Sequence, residues 1–131
     1  MRVAIAVITN ANRQILITRR SPQTTHSGFW EFPGGKLEPN ETIEEALIRE
    51  VKEEVALEIK KFDYLGQVSY HCEAVDINLE IFYVVQFIGT AQCLEGQMDL
   101  KWVDAQDLSQ YQFPPANEKI IDIVNKKLML A

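Results

Sequence analysis

The chain has 131 residues, and since single cores usually span ~100–200 residues, residues 1–131 are expected to form a single domain. With 47% apolar and 24% charged residues it is too hydrophobic for a disordered chain and reads as a globular protein. A formal net charge of −6 argues against binding a nucleic-acid polymer, which needs clustered basic residues, and an anionic ligand would need a cation beside it.

Val3 to Thr9 and Gln14 to Arg19, separated by Asn10-Ala11-Asn12-Arg13, read as a β-hairpin. The apolar run Val3 to Ile8 is too short for a signal-peptide core, and no run reaches the ~20 residues that cross a bilayer, so no membrane is expected as a partner. Ser21 to Gly28 reads as a loop. Phe29 to Phe32 is a short aromatic strand, ended by a tight turn at Pro33-Gly34-Gly35, because proline cannot donate to a ladder and glycine admits unusual backbone angles. Thr42 to Val55 is the clearest helix. Thr42 is its N-cap, Glu45 completes a capping box, and Ile43, Leu47, Val51 and Val55 form its apolar stripe.

Glu58 to Tyr70 and Asp76 to Phe87 are rich in strand-forming residues, Leu100 to Val103 reads as a further strand, and Asp104 to Leu108 as a short helical turn. After Pro114-Pro115, helical spacing returns over Ala116 to Leu130. The order of elements predicts an α/β chain of the α+β type, with a mixed sheet flanked by helices rather than a doubly wound parallel fold. Cys72 and Cys93 lack the spacing of zinc or redox sites and are expected to be free thiols in a reducing cytoplasm.

The chemistry gathers on the first helix. Glu50, Glu53 and Glu54, at i, i+3 and i+4, share an arc of roughly 100°. Like charges so spaced cost a few tenths of a kcal/mol per pair, a local conflict that a cation would relieve. Glu50 and Glu54 fall close to Ile43 and Leu47 in angle and are expected to be partly buried, with Glu53 toward Arg49. Such oxygen ligands suit Mg²⁺ or Mn²⁺. Taken alone, the same helix also reads as a solvated acidic face paired with Arg49 and Lys52. Gly34-Gly35-Lys36 is no P-loop, because Leu37 stands where Ser or Thr would hold magnesium and Trp30 where the first glycine would be.

The stretch GGKLEPNETIEEALIREVKEEVAL, Gly34 to Leu57, decides between these readings. Gly35, Glu41, Arg49-Glu50, Val51, Glu53-Glu54 and Leu57 fall at the spacing of the Nudix box, which this chain closely resembles. Ala56 stands where the family has glycine, at the helix exit, where glycine eases a left-handed cap. The resemblance implies a Nudix fold, a mixed sheet sandwiched between helices, and a Mg²⁺-dependent hydrolase of diphosphate linkages in nucleotides. It also implies that Glu50, Glu53, Glu54 and the Gly34 carbonyl are metal ligands, and that Arg49 braces the loop through Glu41.

Beyond the box, ILITRR ending at Arg20, WEFPGGK through Phe32, LEGQ from Leu94 and FPPANE from Phe113 are similar to the MutT-type branch of that family, which hydrolyses 8-oxo-dGTP. By that similarity Glu95 is a further carboxylate near the metals, holding a second ion or helping to deprotonate water. Asn117 would read the base, since an amide both donates and accepts, although it also reads as the N-cap of the last helix. Arg20 would contact substrate, or else end its strand as an exposed arginine. Phe32 and Ile77 would wall the base pocket, or serve as core.

The chain departs from the branch at Cys72-Glu73-Ala74-Val75-Asp76, where Ala74 and Val75 replace charged loop residues. His26 and His71 have no partner in the sequence and read as loop and strand residues. A small nucleotide is the expected partner, and a monomer the expected state.

Overall fold

Ala4 to Ile8 are all buried, so the first strand has no solvated face and belongs inside a sheet. In the computed structural model, which describes residues 1–23 and 27–129, β1 (Arg2–Ile8) lies between β4 (Gly34–Lys36), antiparallel, and β6 (Val75–Ile88), parallel. β5 (Glu58–Cys72) completes a four-stranded mixed sheet in the order β4-β1-β6-β5. A second, antiparallel sheet has the order β3-β2-β7, from β2 (Gln14–Arg19), β3 (Trp30–Glu31) and β7 (Asp99–Asp104).

The predicted hairpin is therefore corrected. Its turn closes as expected, with the Asn10 side chain accepting from the Asn12 and Gln14 amides. Only one bridge, Thr9 to Ile15, joins the strands beyond it. Both edges of β1 are already taken, so β2 turns away into the other sheet. Gly34 and Gly35 are likewise corrected from turn to strand. A Cβ at Gly34 would lie 2.0 Å from the Ala4 carbonyl oxygen, so glycine allows β4 to lie closely against β1.

Helices cover both faces. Alternate residues of β1 split between two cores: Ala4, Ala6 and Ile8 pack with Ile43, Leu47, Val51 and Val55 of α1 (Ile43–Val55). Ile5 and Val7 pack with Ile120, Val124 and Leu128 of α2 (Asn117–Met129). The sandwich of a mixed sheet between helices is as expected. Among the described residues no helix is long and apolar enough to cross a membrane.

The capping box of α1 forms as read, with the Glu45 amide donating to Thr42 Oγ1 at 3.1 Å and the Thr42 amide donating to the Glu45 carboxylate at 2.9 Å. At the exit Ala56 takes the left-handed conformation, φ 64°, and its N–H donates to the Lys52 carbonyl. The residue that replaces the box glycine keeps the glycine geometry.

A short 3₁₀ helix, Ala105–Gln110, follows β7. Asn117 is the first residue of α2 rather than its cap. The predicted Leu130 end and His26 lie outside the described residues. Both cysteines are free and exposed, and His71 pairs with Asp76 across the β5–β6 hairpin.

Candidate active site

α1 and the chain leading into it are tied together by one arginine. The Arg49 guanidinium grips Glu41 with two bonds, 2.7 and 3.0 Å, and donates to the Lys36 carbonyl at 3.0 Å. A third nitrogen reaches Glu50 at 2.8 Å and Glu53 at 3.2 Å. The fork geometry of a guanidinium suits such a junction, and a lysine could not replace it. These bonds, with the Glu38 amide, hold the Glu41 carboxyl down at about 2. The brace between loop and helix that the box implies is therefore in place.

The carboxylates divide differently from the simple helical arc. Glu50, Glu53 and Glu95 bring one oxygen each within 4.8 Å of one another, Glu95 reaching in from the segment between β6 and β7. Glu54 turns inward instead, and its carboxylate accepts from the Gly34 N–H at 2.9 Å. It shares a small pocket of about 150 Å³ with Arg20, Ser21, Glu31, Glu95 and Gln97.

Burial pushes the Glu54 carboxyl up to about 8, helped by the charges of Glu31, Glu50 and Glu95 and opposed by the Gly34 N–H. Glu50 is raised for the same reason, against the pull of Arg49. Both were expected to be partly buried, and both are.

Gly35 leaves the room that this packing needs, because a Cβ there would stand 2.3 Å from the Glu50 carboxyl carbon. The donor set is oxygen only, crowded and negatively charged, which fits a hard divalent cation such as Mg²⁺ or Mn²⁺.

Beside the carboxylates opens a cleft of about 490 Å³ whose walls include Arg20, Phe32, Ile77 and Asn117. All four predicted substrate contacts therefore share one cavity, although they come from β2's end, the link between β3 and β4, β6 and α2. Phe32 is also core, stacked on Phe113 with ring centroids 5.2 Å apart. Arg20 is half-buried and ion-paired with Glu31, rather than an exposed strand end. Desolvation raises the Glu31 carboxyl, with Arg20 pulling it down.

The two cavities share Arg20 and Glu31, so the cleft leads onto the carboxylates. A larger cavity, about 620 Å³ and lined by Tyr111, Phe113 and Ile121 among others, contains none of the predicted site residues.

Sequence reasoning missed Glu31, Tyr70 and Gln97. Glu31 was visible only as part of WEFPGGK, and its partner Arg20 lies across a loop. Tyr70 pairs with Ile77 across the hairpin and lines the cleft, whereas the tip residues Cys72 to Asp76 are exposed and are not among its walls. The departure at the tip therefore lies beyond the cleft lining.

The chain is similar to known proteins of one family. The family profile described as NUDIX domain matches residues 1–123. The 8-oxo-dGTP diphosphatase of Escherichia coli (strain K12) is 36% identical over 121 residues, 92% of this chain and 93% of that protein. The CTP pyrophosphohydrolase of the same organism is 33% identical over 118 residues, covering 90% and 87%. Among solved structures, a MutT from work on Aliivibrio salmonicida and Vibrio cholerae superposes with a TM-score of 0.84 at 31% identity, covering 97% of this chain and 99% of that one.

Proposed function

This chain belongs to the NUDIX family and is a hydrolase of phosphoric anhydrides, and on that premise we propose that it is a Mg²⁺-dependent nucleoside triphosphate pyrophosphohydrolase acting on 8-oxo-dGTP. The products are 8-oxo-dGMP and pyrophosphate, and the role is cleansing of the nucleotide pool and avoidance of mutation. The chain works as a monomer in the cytoplasm, and residues 1–131 fold as one domain.

The observation that carries the reading is the junction of two cavities, one where Glu31, Glu54 and Glu95 converge and one whose apolar walls, Phe32, Ile77 and Leu79, stand with the Asn117 amide and the charged Arg20, Glu31 and Lys36. Glu50, Glu53, Glu54, Glu95 and the Gly34 carbonyl would hold Mg²⁺, or Mn²⁺ in its place. A cation bound there would neutralise phosphate oxygens and favour ionisation of water, which anhydride hydrolysis needs because the substrate's own charge repels a nucleophile. Arg49 keeps Glu50 and Glu53 in position. A carboxylate of the cluster accepts the proton that water loses as its oxygen bonds to an inner phosphorus. The P–O bond that bridges the α and β phosphorus atoms breaks, and the departing phosphate oxygen takes the electron pair.

In the cleft, Phe32 and Ile77 pack against the faces of the base. The Asn117 amide, with one donor pair and one acceptor, pairs with a purine edge that presents both kinds of group. Arg20, ion-paired with Glu31, faces the phosphate end. The similarity to a CTP pyrophosphohydrolase supports a second reading, in which the cleft takes cytosine.

A panel of 8-oxo-dGTP, dGTP, CTP, a dinucleoside polyphosphate and a sugar nucleotide, assayed by chromatography for release of the mononucleotide and other hydrolysis products with Mg²⁺ and with EDTA, separates the two readings. The highest kcat/KM is expected on 8-oxo-dGTP, with no release in EDTA. A preference for CTP would overturn the base assignment, and absence of Mg²⁺-dependent release from every nucleotide would overturn the enzymatic one.

A further inference from the structure

The segment that brings Glu95 to the acidic cluster has little apolar anchorage. Leu94 is 50% exposed and Met98 48% exposed, and Glu95 is itself exposed. The segment is tied down by polar contacts to the end of α1, whose last carbonyls have no partner within the helix. The Gln92 N–H donates to the Val55 carbonyl and the Leu94 N–H to the Glu54 carbonyl, each at 3.0 Å.

Beyond Glu95 the Met98 N–H donates to the Arg19 carbonyl at 2.9 Å, and a further tie is a side chain. Gln97 donates through Nε2 to the Glu54 carbonyl at 2.9 Å, and accepts through Oε1 from the Glu95 N–H at 2.8 Å. One amide thus spans from the backbone of Glu54 to the backbone of Glu95. Three carboxylates gathered within 4.8 Å repel one another, and an exposed segment held mainly by polar anchors would yield by swinging Glu95 outward.

We propose that Gln97 is a positioning residue that holds Glu95 in register with Glu50, Glu53 and Glu54, so that the acids are assembled before a cation or nucleotide arrives. This rests on the reading of Glu95 as part of the metal cage. Only an amide offers a donor and an acceptor at that length. Glutamate at position 97 would still accept from Glu95 but would set a carboxylate oxygen against the Glu54 carbonyl. Methionine has the length and neither bond. Because the Glu54 carbonyl keeps its bond from Leu94, removing the amide leaves the helix end satisfied and the effect falls on Glu95.

The test compares Gln97→Met, Gln97→Glu and Glu95→Gln, alone and with Gln97→Met combined with Glu95→Gln. Partners that orient metal ligands typically contribute ~10–100-fold in affinity or activity. In Gln97→Met, Mn²⁺ titrated alone into the metal-free protein is expected to bind at least about tenfold more weakly. Amide hydrogen exchange at Glu95 accelerates, and kcat falls by a similar factor with KM for the nucleotide nearly unchanged. Gln97→Glu shows an intermediate loss, since one bond survives.

In the Glu95→Gln background, Gln97→Met adds almost nothing, because both act through one group. Unchanged exchange at Glu95 in Gln97→Met, or a full additional loss in the double variant, would overturn the proposal. Normal Mn²⁺ binding in Glu95→Gln would instead overturn Glu95 as a ligand, leaving the exchange measurement to judge the tie itself.

Discussion

Glu50, Glu53 and Glu54 stand on one helix turn of α1, whereas the cleft beside them draws Arg20, Phe32, Ile77 and Asn117 from four separate parts of the chain. The acidic side is built locally: a capping box starts the helix, helical spacing sets the arc, and Arg49 with Glu41 locks the approach. The cleft exists only once two sheets and α2 have packed. A change on the acidic side should therefore strike the chemistry while the fold survives, and a change in the cleft should strike recognition while metal binding survives.

The largest effect is expected for Glu54→Gln or Glu50→Gln. Turnover should fall at least about a hundredfold with an unchanged circular dichroism spectrum. Near-normal turnover in either variant would refute their place in the metal cage. Glu54 also predicts a pH dependence. Its carboxyl titrates at about 8 in the folded protein against 4.5 ordinarily, so the fold binds the extra proton between those values. The contribution of Glu54 to the stability of the metal-free protein is then fully present below about pH 4.5 and is lost as pH rises through about 8. The urea midpoint measured in EDTA should drop from pH 5 to pH 8, and the drop should shrink in Glu54→Gln. An equal drop in both would place the titrating group elsewhere.

Gly35→Ala comes next. The new methyl would collide with the Glu50 carboxyl, which must move, and overpacking of this kind costs ~1–3 kcal/mol. Mn²⁺ affinity should fall together with thermal stability, and calorimetry reads both. Retention of wild-type affinity would show that Glu50 has freedom to spare.

Asn117→Ala tests the other side of the comparison. Losing a hydrogen-bonding partner of the base should lower kcat/KM by a factor of roughly 5–100, with Mn²⁺ binding unaltered. Base preference that survives the substitution would reject Asn117 as the reader. The smallest effect is expected at Ala56, which sits in the left-handed region at φ 64°. Ala56→Gly should stabilise the protein by about 1 kcal/mol, a rise of about 3 °C in Tm. A fall in Tm would mean that the alanine methyl makes a contact outweighing its backbone strain.

Much of this is legible in the sequence. The helix, its cap and its acids could be read because their determinants are neighbours in sequence: Thr42 with Glu45, Arg49 with Glu41, Glu50 with Glu53 and Glu54. The hairpin could not be read correctly, because alternation and a good turn at Asn10 say nothing of which edges of β1 other strands will take. The Arg20–Glu31 pair and the Gln97 tie were invisible for a similar reason, since each joins residues whose closeness depends on folds of the chain between them.

By itself the sequence determined the acidic helix, the brace that leads into it and the class of chemistry, because those follow from spacing along a single turn-by-turn element. Only the tertiary structure decided that Glu95 joins Glu50 and Glu53 while Glu54 turns inward to Gly34. It also decided that four scattered residues share one cleft. Distances between separate elements are fixed by which faces and edges must be covered, a condition that the whole chain satisfies at once and no segment encodes alone.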